Sequence, residues 1–184
     1  MPDAPRTLRD LDEPIAVLAF TGWNDAGSAA SDAVEHLIEI SDAEKVFSLD
    51  SDDYYDFQVN RPTVHRPRAG RSEVEWPSTD VWVGTLEGRD LVLVSGPEPN
   101  LRWRAYAAAL VSALRSARPS LVLCLGALLA DNAHTRPVPV TRTASDPKVA
   151  ARLGLEAPSY EGPTGMTGLM AHDCQQAGLP TVSL

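Results

Sequence analysis

Apolar and polar positions along this chain follow two periods, one of strands and one of helices. Pro14 to Thr21 is nearly unbroken apolar sequence, the pattern of a strand covered on both faces. It runs into Gly22-Trp23-Asn24-Asp25-Ala26-Gly27, after which Ala29, Ala30, Ala33, Val34, Leu37 and Ile38 recur at helical spacing. This predicts a strand over about Ile15 to Phe20, a helix over about Ala26 to Ile40 and a strand near Val46 to Leu49, a β-α-β unit with parallel strands. Prolines exclude a long helix around Arg61-Pro62 and Arg66-Pro67-Arg68, leaving short strands around Val64, at Val81 to Leu86 and at Leu91 to Ser95. Glu87-Gly88-Arg89-Asp90 joins the last two as a hairpin.

The second half repeats the alternation. Gly96-Pro97-Glu98-Pro99-Asn100 forms a sharp turn, with Asn100 expected as the N-cap of a helix carrying Trp103, Ala107, Leu110, Val111 and Leu114 on one face. Leu121 to Leu129 reads as a central parallel strand, Asp131 to Pro139 as a loop and Val138 to Thr143 as a strand. A helix capped by Asp146 with Pro147 in its first turn follows, then a helix over about Thr167 to Ala177 and a strand from Thr181 to Leu184. Strands alternating with helices imply a doubly wound α/β domain over residues 14–184, preceded by a mobile arm over residues 1–13. Because the last strand is cut short, the domain is expected to be incomplete at its C-terminus.

Composition narrows the function classes. With 43% hydrophobic and 22% charged residues, 184 residues are enough to bury one substantial core. Neither a membrane-spanning run nor a signal-peptide pattern is present, so a cytoplasmic location is expected. Cys124 and Cys174 lack metal or redox spacing and read as buried thiols. The net charge of -9 is concentrated in residues 1–60, which hold 14 acidic and 3 basic side chains; nucleic-acid and membrane partners are not expected.

Candidate chemistry gathers on turns. At the carboxyl edge of an open α/β sheet, the Gly22 to Gly27 turn can present helix N–H groups to an anion, with Asn24, Asp25 and Gly27 as contacts; alternatively, Asn24 or Asp25 simply caps the helix. Glu98 and Glu161, on rigid turns, either converge with Asn24 and Asp25 on one crevice or stabilise their own turns. Asn100, His134, Arg136 and Gly162 complete the ligand candidates. Tyr54, Tyr55 and Phe57 form either an anchoring patch for a protein partner or part of their own sheet's packing. There is no Walker lysine, G-x-G-x-x-G spacing, nucleophile elbow or His/Cys cluster, so no cofactor or metal is expected and an enzyme is disfavoured.

Six blocks carry a resemblance: GWNDAGSAAS (Gly22 to Ser31), YDFQVNRP (Tyr55 to Pro62), GPEPNLRWR (Gly96 to Arg104), LGALLAD (Leu125 to Asp131), HTRPVPV (His134 to Val140) and YEGPTG (Tyr160 to Gly165). In this order they resemble the actinobacterial branch of the proteasome assembly chaperone two family. The resemblance implies a three-layer α/β/α fold with a mostly parallel sheet, similar to purine nucleoside phosphorylases, and a homo-oligomer, a trimer being suspected. It also implies a non-catalytic scaffold or chaperone, with proteasome subunits as partners. The hydrophobic-tyrosine-any tail of archaeal and eukaryotic relatives has no counterpart in Val182-Ser183-Leu184. A phosphorylase- or hydrolase-like enzyme, or a binder of a nucleoside- or phosphate-like molecule, is the alternative function.

Overall fold

A computed structural model describes residues 6–67 and 70–184. Its centre is β1 (Ile15–Thr21), whose residues alternate between two buried faces as a strand period of two requires. Ala16, Leu18 and Phe20 point into one apolar layer, Val17 and Ala19 into the other. Strands β2 (Glu44–Leu49), β5 (Thr79–Leu86), β6 (Arg89–Pro97), β7 (Leu121–Cys124) and β8 (Thr181–Ser183) complete a six-stranded sheet in the order β2-β5-β6-β1-β7-β8. Leu18 of β1 lies opposite Val94 of β6 and Cys124 of β7, both in parallel register.

Helices cover both faces. α1 (Ala29–Ile40) lays Ala30, Val34, Leu37 and Ile38 over Val17, Ala19, Leu91 and Leu93, and α4 (Pro147–Leu153) packs Val149 against Leu121 and Leu123 on the same side. On the opposite face, the short α2 (Ser51–Tyr54) contributes Tyr54, α3 (Trp103–Ala117) contributes Tyr106, Leu110 and Leu114, and α5 (Met166–Gln176) contributes Met166, Met170 and Cys174. Spacings of four residues place each set on one stripe. The result is the expected three-layer α/β/α fold with a mostly parallel sheet.

The strand at Glu44–Leu49 runs in the direction of β1 but is not its neighbour, because the antiparallel β5–β6 hairpin inserts between them. That hairpin turns through Glu87 at φ 50° and Gly88 at φ 76°, the left-handed pair demanded by a two-residue turn between right-twisted strands. A separate two-stranded hairpin, β3 (Thr63–His65) with β4 (Glu73–Glu75), stands off the main sheet.

Four expectations are corrected. Asn100 does not cap α3: its Oδ1 accepts from the Asp56 N–H at 2.9 Å and from Asn60 Nδ2 at 2.8 Å, and Arg102 in the left-handed region precedes the helix instead. The central strand ends at Cys124, and residues 125–130 leave the sheet. No strand forms at 138–143, because Pro137 and Pro139 lack the donors a ladder needs; only Thr143 pairs, with Ser183 and Glu156. Finally, residues 6–13 of the expected arm lie against the domain: Leu11 is buried, Arg6 Nη2 donates to Asp90 Oδ1 at 2.7 Å, and the Asp12 N–H donates to Asp90 Oδ2 at 3.0 Å. Residues 1–5 of that arm lie outside the described residues.

Candidate functional site

β1 and β6 are parallel neighbours whose following helices go to opposite faces, α1 to one and α3 to the other. Their carboxyl ends therefore border a topological switch point, the usual ligand crevice of an open α/β sheet. Two of the sequence candidates, Asn24 and Glu98, meet there beside Gly165. The Glu98 N–H donates to Thr21 O at 2.9 Å, which ties the β6 turn to the end of β1. Glu98 Oε1 accepts from the Met166 N–H at 2.5 Å, so this carboxylate caps the N-terminus of α5 across the crevice.

Asn24 closes the space between them. Its backbone oxygen accepts from the Ala127 N–H at 2.7 Å, and its buried Oδ1, which has no hydrogen-bond partner among the described residues, lies only 1.9 Å from where a β-carbon on Gly165 would stand. A side chain at residue 165 would therefore force the Asn24 and Glu98 side chains to shift. Asp25 caps α1: Oδ1 accepts from the Ala30 N–H at 2.9 Å and the Ser31 N–H at 3.2 Å, while Ser31 Oγ donates to Oδ2 at 2.6 Å. Of the two readings of Asp25, capping is the one realised. Gly27 sits in the left-handed region in the short turn before α1 and faces open space.

A buried hydroxyl chain underlies the crevice. Tyr55 Oη donates to Pro97 O at 2.9 Å and lies 2.6 Å from Thr79 Oγ1, which is 2.5 Å from Tyr106 Oη. Burial pushes the Tyr106 phenol well above its ordinary value, and the neighbouring Tyr55 and Glu98 push in the same direction; burial also raises Tyr55. Both phenols stay protonated and act as fixed donors. Tyr54 and Tyr55 are thus core residues rather than an anchoring patch, and Phe57 is partly buried, its ring 4.8 Å from that of Trp76.

The other candidates lie elsewhere. Asn100 organises the Asp56–Asn60 turn. His134 and Arg136 line a shallow depression with Leu128, Asn132 and Val138. Glu161 is exposed, and Gly162 borders a separate hollow of about 450 Å³ between α5 and β8. Among the described residues, no group of three or more His, Cys, Asp or Glu side chains could hold a metal ion, and no helix is long and apolar enough to cross a membrane.

The PAC2 family model matches residues 19–184, which include every element named above except the start of β1. This chain belongs to the PAC2 family. A PAC2 family protein from Streptomyces avermitilis is 49% identical, with a TM-score of 0.88, over 92% of this chain and 73% of that one. A Mycobacterium tuberculosis protein described as a proteasome-assembly chaperone homologue is 43% identical, with a TM-score of 0.82, over 92% of this chain and 72% of that one. No curated protein matches. The actinobacterial kinship read from the six sequence blocks is thereby shown.

In this PAC2 chain the sequence reading missed the surface beyond β7. After Cys124 the backbone crosses to the β1 turn, where the Ala26 N–H donates to Ala127 O at 3.0 Å. The chain then exposes Leu128 at 75%, Leu129 at 93%, Val138 at 81% and Val140 at 63%. Gly126 inside the apolar run was the available signal that the strand stops early.

Proposed function

We propose that this PAC2 protein is a non-catalytic assembly chaperone that binds proteasome subunits in the cytoplasm. The observation that carries the reading is the apolar surface of residues 128–140, where Leu128, Leu129, Val138 and Val140 are left exposed by the described residues. Exposed contiguous apolar side chains of this kind are typical of protein-binding surfaces. The description of the Mycobacterium tuberculosis relative supports the class of partner. The crevice offers less support for a small-molecule function, because Asp25 and Glu98 already take helix N-terminal amides that would hold an anion.

The test is to mix the purified protein with isolated 20S α and β subunits and follow comigration on native gels and by size-exclusion chromatography. Comigration with a subunit, abolished by replacing Leu128 and Leu129 with aspartate, is the expected result. A protein that elutes without either subunit at every ratio tried overturns the reading.

A further inference from the structure

We infer that the β3–β4 arm of one copy docks on the acidic outer stripe of α1 in a second copy. Residues 61–75 contain four arginines against two glutamates, in a chain whose net charge is -9. The described arm arginines, Arg61, Arg66 and Arg71, are exposed and make no ion pair among the described residues. The arm is a two-stranded sheet with both faces open to solvent, and Val64 and Val74, paired across it, are 56% and 51% exposed. A lone hairpin of this kind is marginal in water and gains most from a surface to lie on.

The complementary surface is present on the same molecule. Asp32, Glu35 and Glu39 follow one another at spacings of three and four along α1, and Asp42 continues the spacing just beyond its end; all four are exposed. None of them forms an ion pair among the described residues. Glu35 and Glu39 repel at this spacing, and carboxylates near a helix C-terminus oppose the helix dipole, so the stripe is unfavourable for an isolated chain. Cations laid along it relieve both terms. Ile40, 45% exposed beside the stripe, supplies an apolar contact for the Val64–Val74 pair.

The arm does not satisfy this stripe within its own chain. Its base is anchored by the Phe57–Trp76 ring pair next to Tyr54 and Tyr55, which pack into the α3–α5 layer, whereas α1 lies in the opposite layer. The contact is therefore between copies, with different patches meeting. It is independent of the proteasome-binding reading and of the 128–140 surface.

Sedimentation equilibrium of the whole chain tests it, using an arm variant (Arg61→Glu, Arg66→Glu, Arg71→Glu) and a stripe variant (Glu35→Arg, Glu39→Arg), each checked for unchanged circular dichroism. The wild type should self-associate at low salt and weaken at least about 10-fold at about 0.5 M NaCl, where the screening length falls below about 5 Å. Each variant alone should lose self-association by at least about 10-fold, since like charges then face each other. An equimolar mixture of the two variants should recover it, because the acidic arm of one meets the basic stripe of the other. A wild type that is monomeric at low salt, association that survives both reversals, or a mixture that stays monomeric each overturns the inference.

Discussion

Two regions at the same sheet edge are built on opposite principles. In the β1–β6 crevice, Asp25 and Glu98 take up helix N–H groups, and Gly165 lets the Asn24 and Glu98 side chains come close to the start of α5. A few residues away, the segment after β7 holds Leu128 and Leu129 largely out to solvent. The crevice commits its two carboxylates to fixing the turns and leaves the buried Asn24 Oδ1 without a partner among the described residues. The neighbouring surface leaves most of its apolar area outside the fold, so its sequence is free to serve a partner. The surface proposed for a partner therefore lies beside the topological crevice and not in it.

The largest expected effect attacks the floor of the crevice. A β-carbon at Gly96 would lie 2.5 Å from Ser78 O and 2.6 Å from Thr79 Cα, both backbone atoms that cannot swing aside. Gly96→Ala should destabilise the protein by about 3 kcal/mol in chemical denaturation, the upper end for overpacking. A loss below about 0.5 kcal/mol, the range of ordinary surface substitutions, would mean that this floor is soft and the contrast drawn above is wrong.

Glu98 gives a smaller and sharper test. Glu98→Ala removes the acceptor of the Met166 N–H and should cost about 1.5 kcal/mol, in the range of lost helix caps. Glu98→Gln keeps an acceptor oxygen and should cost about half as much. Amide exchange at the first turn of α5 separates a cap from a ligand group: it should speed up in the alanine variant and much less in the glutamine one. Equal exchange in wild type and Glu98→Ala would remove Glu98 from its capping role.

Much of this contrast was legible in the residues, and the part that was not has physical causes. The apolar strand at 15–20, the alternating helices and the Asp146 cap depend on local periodicity and capping chemistry, and each appears in place. Doubly wound topology left two readings open for Glu98 and Glu161, a shared crevice with Asn24 and Asp25 or stabilisation of their own turns; Glu98 approaches Asn24, whereas Glu161 is exposed. Sheet order was not accessible locally, because whether a hairpin inserts beside β1 is decided by long-range pairing. Tyr54 and Tyr55 could be assigned to core or surface only once Thr79 and Tyr106 were seen to receive the Tyr55 hydroxyl's network. Leu128 and Leu129 misled for the opposite reason: apolar residues after a buried strand look like its continuation.

The thiols mark the boundary between the two regions. Burial pushes the Cys124 thiol well above its ordinary value, with Cys174 adding to the shift, and raises Cys174 to about 12, with Asp173 adding to it. Both groups favour the protonated form in the folded state, so their contribution to stability is intact below the unfolded thiol value. It is lost as pH rises from there through the folded values. Stability should therefore decline on the alkaline side, and the double Cys→Ser variant should show a shallower decline. Labelling by a thiol reagent at neutral pH should be at least about 100-fold slower in native than in urea-unfolded protein, as expected for inert buried cysteines. Native labelling as fast as unfolded would place β7 on the open side of the boundary.

The smallest expected effect on stability is also the most informative for function. Leu128→Asp with Leu129→Asp adds two charges at positions 75% and 93% exposed, where little apolar contact is lost. Folding stability should change by no more than about 0.5 kcal/mol, as for surface substitutions away from any packed feature. If residues 128–140 instead fold back on the domain in solution, burying the carboxylates would destabilise by well over about 1 kcal/mol. The pair of measurements therefore separates two explanations of the same apolar segment. An unchanged denaturation midpoint together with lost subunit comigration assigns the leucines to a partner, whereas a large fall in stability assigns them to the fold and leaves the crevice as the better place to look.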